Sequence, residues 1–442
     1  MNAADVSPLR ILYLATGYPP KTLGGIPVAT ARIAESLAGR GHDVHVLVVQ
    51  PSARTRDERI GNVSVHYRKR TRIPGMQRLL ASPPGRWWQR RFGFRDALDK
   101  EINDVGARLL LGWSLHREAR RLGIDFDVVE AADADAQGLG FAIVRRARLV
   151  VNLHCPPISL YWKVHGYRAP GVRARFVAWL EAIPMRRAAL VTSPSSRIEA
   201  ALRDEHRSVP RGVVVLPHPV DLGTWSDVPP IAEDERVILA VGRLDAMKAP
   251  EVLVRAAAIV RERVPEAEVV FVGASSGYRE GERYGDWIAR LAGELGVPCK
   301  FIDHVPRGEL SAWYERARVV AIASHWESFS MAGLEAMASG RPVVITETAG
   351  LSDLVQRADA GTVVPPDDPI ALARALEPLL LDAALAAEAA DRGRRFVLRE
   401  LTPEINGSRR EAVYRSVIND GRSRRDRRRD PSAASTSKRS TP

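Results

Sequence analysis

A chain of 442 residues that is 45% hydrophobic carries enough apolar material for two or three domain cores. Its two cysteines, Cys155 and Cys299, lie far apart without metal-ligand spacing, which excludes a disulfide framework and fits a reducing cytosol. The net charge of +12 is local: residues 68–121 carry +9 and residues 421–442 carry +6, so the rest is slightly acidic and no uniformly basic nucleic-acid binder is expected.

The N-terminal apolar run is too short and too β-like for a signal peptide, and no run of about 18 apolar residues offers a membrane span. A cytoplasmic protein is expected. Residues 10–15 read as a buried strand, followed by a loop rich in Gly and Pro that contains Gly24 and Gly25. A helix over 28–39 and a strand over 44–49 complete a β–loop–α–β unit that lacks GxGxxG, so no dinucleotide fingerprint is present. The glycine pair either lets backbone approach a ligand closely or simply makes a turn.

A strand over 63–68 leads into the basic segment, where Trp87, Trp88, Phe92 and Phe94 alternate with Arg86, Arg90, Arg91 and Arg95. Such interleaving suits an anionic membrane surface, or aromatics packed on the domain; stacking on single-stranded nucleic acid is a third reading and is not adopted. Strands follow over 127–131 and 149–154, the latter ending in His154, where an open α/β sheet places either a ligand-facing residue or a structural one. The triplets Asp125–Asp127 and Asp133–Asp135 have no neighbouring His or Glu cluster and read as loop charges, so no metal is expected. A helix over 172–190, a strand over 190–193, a helix over 195–204 and a strand over 213–216 come next, with a domain boundary expected at 210/211.

The second half repeats the alternation, with strands over 237–241, 268–273, 299–302, 319–323, 342–345 and 361–364 separated by helices. The first of these delivers Arg243 and then Lys248, two cations able to neutralise a diphosphate in place of a divalent metal. Between the fourth and fifth, Ser330 is an N-cap, residues 331–338 are helix formers, and Gly340 suits a helix end. The amides of Met331, Ala332 and Gly333 at that helix start form an anion site. Glu327 and Glu335 frame it, as acceptors for vicinal hydroxyls or merely as solvated charges. A nucleotide-sugar combines a ribose diol, a diphosphate and sugar hydroxyls. Helices over 370–391 and 394–419 precede a tail, 421–442, without apolar periodicity, which is expected to be disordered.

The segments GYPP…GG, RGHDVHVL, LPHPVDLGTW, VGRLDAMKAP and ESFSMAGLEAMASGRPVV, the last with an E-x7-E spacing, resemble the retaining glycosyltransferases of sequence family four. The resemblance implies a GT-B fold: two Rossmann-like doubly wound domains facing across a cleft, with a C-terminal helix crossing back to the first. The domains would be 1–210 for the acceptor and 211–393 for the nucleotide-sugar donor, followed by a return helix at 394–420. It further implies that Glu335 holds the ribose, Glu327 contacts the transferred sugar, and Arg243 and Lys248 clamp the diphosphate. Backbone at Ser328, Phe329, Ser330, Met331 and Ala332 would hold sugar and phosphate oxygens, Gly24 and Gly25 would admit the phosphate, and His154 would face the sugar. The donor would be a UDP- or GDP-sugar, with no other cofactor, and the acceptor a glycan, a lipid-linked sugar or a small molecule. The chain departs from the family pattern at Ser328 and Ser330, where Gly is usual, at Ala249 after Lys248, and at Asp303-His304. A catalytically degenerate module docked on anionic membrane, or a nucleotide-sugar epimerase of the same fold, are the alternative functions.

Overall fold

The computed structural model describes residues 7–22, 24–51, 53–70, 105–144, 148–155, 172–204, 212–225, 227–279, 281–303 and 305–429. The aromatic and basic residues of 86–95, His304 and the last residues of the tail lie outside the described residues.

The first half runs β1 (Arg10–Ala15), α1 (Gly25–Ala38), β2 (Asp43–Gln50), β3 (Arg56–Ile60), β4 (Val63–Lys69), α2 (Val105–Arg121), β5 (Val128–Ala132), α3 (Leu139–Val144), β6 (Arg148–Asn152), α4 (Val172–Arg187), β7 (Leu190–Ser193), α5 (Ser196–Asp204) and β8 (Val213–Val215). These strands form one sheet in the order β3-β4-β2-β1-β5-β6-β7-β8, parallel except for the edge strand β3. Both faces are covered, which is why β1 reads as a continuous apolar run. Ile11 and Tyr13 pack toward α1, while Leu12 and Leu14 pack toward the layer made by α2, α3 and α4.

The second half runs β9 (Val237–Val241), α6 (Pro250–Arg261), β10 (Glu268–Val272), β11 (Tyr278–Arg279), β12 (Glu282–Arg283), α7 (Tyr284–Glu294), β13 (Cys299–Ile302), α8 (Ser311–Glu315), β14 (Val319–Ile322), α9 (Met331–Ala338), β15 (Val343–Thr346), α10 (Ser352–Ala358), β16 (Gly361–Val364), α11 (Pro369–Leu381) and α12 (Ala383–Glu400). Its parallel sheet has the order β13-β10-β9-β14-β15-β16. Strand order reverses between β9 and β14, the switch point where an open α/β sheet leaves a crevice at the strands' carboxyl ends. A last helix, α13 (Pro403–Arg429), returns to the first half, where Tyr414 and Ile418 join the cluster of Ile11 and Tyr13.

Three expected boundaries move. β8 pairs with β7, Thr192 opposite Val214, so the first domain continues past residue 210 and the chain crosses after Leu216. The segment 394–420 is not one return helix. Phe396 and Val397 of α12 pack in the second domain, and the chain breaks at Leu401 and Thr402 before α13 begins. Pro403 disfavours helix at the residue before it, and the Thr402 hydroxyl accepts from the Ile405 amide at 3.4 Å, so a new helix starts there. Finally, the helix continues to Arg429, beyond the point at 421 where disorder is expected.

Candidate active site

At the switch point the carboxyl ends of β9 and β14 open into a small cleft, lined among others by Gly242, Arg243, Lys248, Ser324 and Glu327. Lys248 Nζ lies 2.8 Å from Glu327 Oε1, and the Ser324 hydroxyl donates to the same oxygen at 2.7 Å. Arg243 reaches into solvent, 66% exposed, with Nη2 2.9 Å from Asp245 Oδ2. The other oxygen of Asp245 accepts the amides of Met247 at 3.1 Å and Lys248 at 3.2 Å. One buried carboxylate therefore shapes the turn that carries both cations. Sequence reasoning passed over Asp245 and Ser324; an Asp two residues after Arg243 and three before Lys248 is the signal of such a side-chain-capped turn.

The loop from Glu327 to α9 holds the next group. Phe329 is buried in the second core, and the Ser328 carbonyl accepts from the Ser195 hydroxyl of the first domain at 2.9 Å. Gly350 allows that approach, because a Cβ there would sit 2.1 Å from the Ser328 carbonyl oxygen. Ser330 caps α9 by accepting the Gly333 amide at 3.3 Å, with φ at 90°. The expected anion site is thus smaller than the sequence implied: Gly333's N–H is taken, and only the amides of Met331 and Ala332 have no hydrogen bond among the described residues. Ala249, another position where the resembling family has Gly, also keeps a positive φ, 46°.

Glu335, one turn into α9, is buried rather than solvated. Its Oε1 accepts from Arg32 Nη2 of α1 at 2.8 Å across the domain boundary. Gly24, with φ 139°, precedes α1, and a Cβ on Gly25 would meet nothing within 4 Å, so this turn leaves open space in front of the helix start.

His154 lies two residues beyond β6 in the first domain, since the strand stops at Asn152 and not at 154 as expected. Asp133 holds it there by accepting the amides of His154 at 2.8 Å and Cys155 at 3.3 Å, so one member of an Asp triplet positions a strand end. The His154 ring stacks on His218 at 5.4 Å, and His218 meets Phe329 edge-on at 5.1 Å, a ring column that runs from one domain to the other. Burial, with Arg410 nearby, pushes the His154 imidazole down to about 3, and burial likewise drives His218 well down. Both rings are therefore neutral at pH 7. Among the described residues no group of three His, Cys, Asp or Glu side chains could hold a metal ion.

The structure thus gathers Arg243, Lys248 and Glu327 at one crevice, while Phe329 of the loop beyond Glu327 is linked through His218 to His154 and Glu335 is linked to α1 through Arg32. Two Rossmann-like domains, the second carrying this crevice, with a returning terminal helix define the GT-B class. The solved structure of sucrose-phosphate synthase from Thermosynechococcus elongatus superposes with a TM-score of 0.70 at 21% identity, covering 93% of this chain and 99% of that one. HepE of Anabaena, solved with UDP, superposes with a TM-score of 0.65 at 17% identity, covering 92% and 100%. The family profile described as Glycosyltransferase Family 4 matches residues 23–224, and that described as Glycosyl transferases group 1 matches residues 223–396. The D-inositol 3-phosphate glycosyltransferase of Kineococcus radiotolerans is 31% identical over 338 residues, 69% of this chain and 75% of that protein. The enzyme of the same name from Stackebrandtia nassauensis is 34% identical over 253 residues, 53% of this chain and 56% of its own length, so the match spans about half of that relative. The chain belongs to the family 4, group 1 glycosyltransferases.

Proposed function

We propose that the chain is a retaining glycosyltransferase that moves a hexosyl group from a UDP- or GDP-sugar to a glycan, lipid-linked or small-molecule acceptor. The observation that carries this reading is the Lys248–Glu327 contact at the switch-point crevice, with Arg243 beside it. Lys248 and Arg243 would face the diphosphate. As the bond from the sugar C1 to the phosphate oxygen breaks, negative charge grows on that phosphate, and fixed cations stabilise the developing charge more than the starting one. The acceptor hydroxyl would attack C1 on the face from which the phosphate leaves and give its proton to that phosphate, so no protein nucleophile is needed. Glu327 would accept hydroxyls of the sugar, Glu335 those of the ribose, and the Met331 and Ala332 amides would hold phosphate oxygens. His154, neutral and fixed by Asp133, would offer a hydrogen bond to the sugar without adding charge. The relatives' name makes an inositol phosphate the first acceptor to try, and HepE's UDP makes a UDP-sugar the first donor.

A peripheral contact with anionic membrane belongs to the same proposal. No helix among the described residues is long and apolar enough to cross a membrane. The outer face of the α2–α4 layer, however, exposes Trp113 beside Arg117, Arg120 and Arg121 on α2, and a stacked Phe176–Trp179 pair on α4. Tryptophan at headgroup depth and arginine at lipid phosphate match that composition.

The test is a thermal-shift panel of UDP, GDP and their hexose conjugates, followed by turnover with the donor that binds. Ligand at a hundred times its dissociation constant adds about 2.7 kcal/mol to stability. Lys248→Ala is expected to lower kcat about a hundredfold or more. Near-normal turnover in that variant would remove the assigned role, and absence of any shift would favour a degenerate binding module. An altered sugar still attached to its nucleotide would identify an epimerase, and the anomeric configuration of a transferred sugar decides retention.

A further inference from the structure

Arg32 is a cation buried on the inward face of a helix whose other inward residues are mostly small or apolar. Its guanidinium leaves the first domain altogether. Nη2 donates to Glu335 Oε1 at 2.8 Å, and Nη1 donates to the Pro219 carbonyl, in the segment joining the domains, at 3.4 Å. The side chains of both partners are 6% exposed. On the other side of the carboxylate, the Tyr314 hydroxyl lies 3.4 Å from Oε2 and donates to the Ala332 carbonyl at 3.0 Å. Glu335 is therefore gripped from the first domain, while Tyr314 ties it to the start of its own helix.

We propose that Arg32 is a positioning residue that orients the Glu335 carboxylate toward the two hydroxyls of a nucleotide's ribose, so that recognition of ribose depends on a side chain from the opposite domain. The inference rests on the donor-site reading above. An ionised carboxylate offers about four acceptor directions and turns freely about its last bond unless something fixes it. With Oε1 held by Arg32 and Oε2 within reach of the Tyr314 hydroxyl, the carboxylate no longer turns about its last bond. A planar guanidinium suits the task, because it can grip a carbonyl and a carboxylate at once where an ammonium has no fixed fork. Since α1 and α9 belong to different domains, the carboxylate takes this orientation only when the domains are closed on each other.

The experiment is calorimetric titration of the full chain with UDP, GDP and their 2′,3′-dideoxy counterparts, on wild type, Arg32→Met, Arg32→Lys and Glu335→Gln. Wild type is expected to prefer the ribonucleotide by tenfold or more, the scale of hydrogen bonds to a charged acceptor. Arg32→Met should bring that preference close to one, Arg32→Lys should restore part of it, and Arg32→Met should add nothing in a Glu335→Gln background. A folded Arg32→Met protein that keeps the full preference, or weakens ribo- and dideoxynucleotide equally, shows a mere strut between domains and overturns the inference. Should Arg32→Met not fold, an undiminished preference in Arg32→Lys overturns it in the same way. Wild type that binds without preference overturns it too. Wild type that binds neither nucleotide overturns the donor-site reading and this inference with it, whereas preserved preference in the variants overturns this inference alone.

Discussion

His154 and His218 refuse a proton that free histidines would take. Both rings are enclosed in the column between the domains, with Arg410 close enough to repel a further positive charge. The His154 imidazole falls from the ordinary 6.5 to about 3. Below pH 6.5 the unfolded chain binds protons there that the native protein does not, so stability is complete above that pH and is lost as pH falls toward 3. His154 alone removes about 1.4 kcal/mol per pH unit inside that window, and His218 acts in the same direction. Melting temperatures between pH 7 and 4 should therefore fall less steeply for His154→Gln/His218→Gln than for wild type; equal slopes would dismiss the two rings as the source. At this scale the sequence was readable where one residue signals one backbone need. Ser330 is the helix cap that its position implies, and it and Ala249 keep positive φ where the family's glycines stand. Arg32 and His218 were not readable, because each acts through a partner distant in sequence, whereas the spacing of Asp245 carried a signal of its turn.

Among the elements, β9, β13 and β16 and helix α9 were legible and have the limits expected of them, although of the three strands only β9 is a continuous apolar run. β3 was not, because its sequence RDERI is that of a charged edge strand, whose polar side chains guard the sheet's rim rather than fill a core. The helix α2 was hidden inside the basic segment, yet it buries Leu111, Leu115 and Ala119 beneath its arginines. Trp113 is 56% exposed and Trp179 49%, on helices joined by the Arg108–Glu181 ion pair at 2.7 Å. The membrane reading makes a prediction for this layer. Co-sedimentation with vesicles of mixed neutral and anionic lipid should weaken as salt rises, since surface attraction decays over a Debye length of about 10 Å at 0.1 M salt. Replacing Arg117, Arg120 and Arg121 by Gln should weaken it about a hundredfold, from roughly 1 kcal/mol for each basic residue. Equal binding to neutral vesicles, or none to anionic ones, would end that reading.

For the whole molecule, the decisive polar contact lies under the returning helix. Arg410 is fully buried, with Nη1 3.3 Å from Glu130 Oε2 on β5, and the Tyr414 hydroxyl donates to the same carboxylate. Tyr13 of β1 completes the set, 2.9 Å from Tyr414. Removing one member of a buried ion pair leaves an uncompensated charge and costs about 3–5 kcal/mol, whereas removing both is nearly neutral. Arg410→Met should lower the melting temperature by roughly 10 °C, and Glu130→Leu added to it should recover most of the loss. A double variant no more stable than the single one would show that Arg410 acts by packing alone.

The two passages of the chain between domains run side by side. The Val220 amide donates to the Leu401 carbonyl at 3.1 Å, and the Asn406 side chain donates to the Pro217 carbonyl at 2.6 Å. The second domain is thus an insertion nested within the first, its entrance and exit tied together. This has a consequence for biosynthesis, where domains ordinarily form in the order they leave the ribosome. Here the later domain has all its parts first. The earlier one must keep Glu130 and Tyr13 waiting until Arg410 and Tyr414, made only after the whole second domain, arrive to close over them.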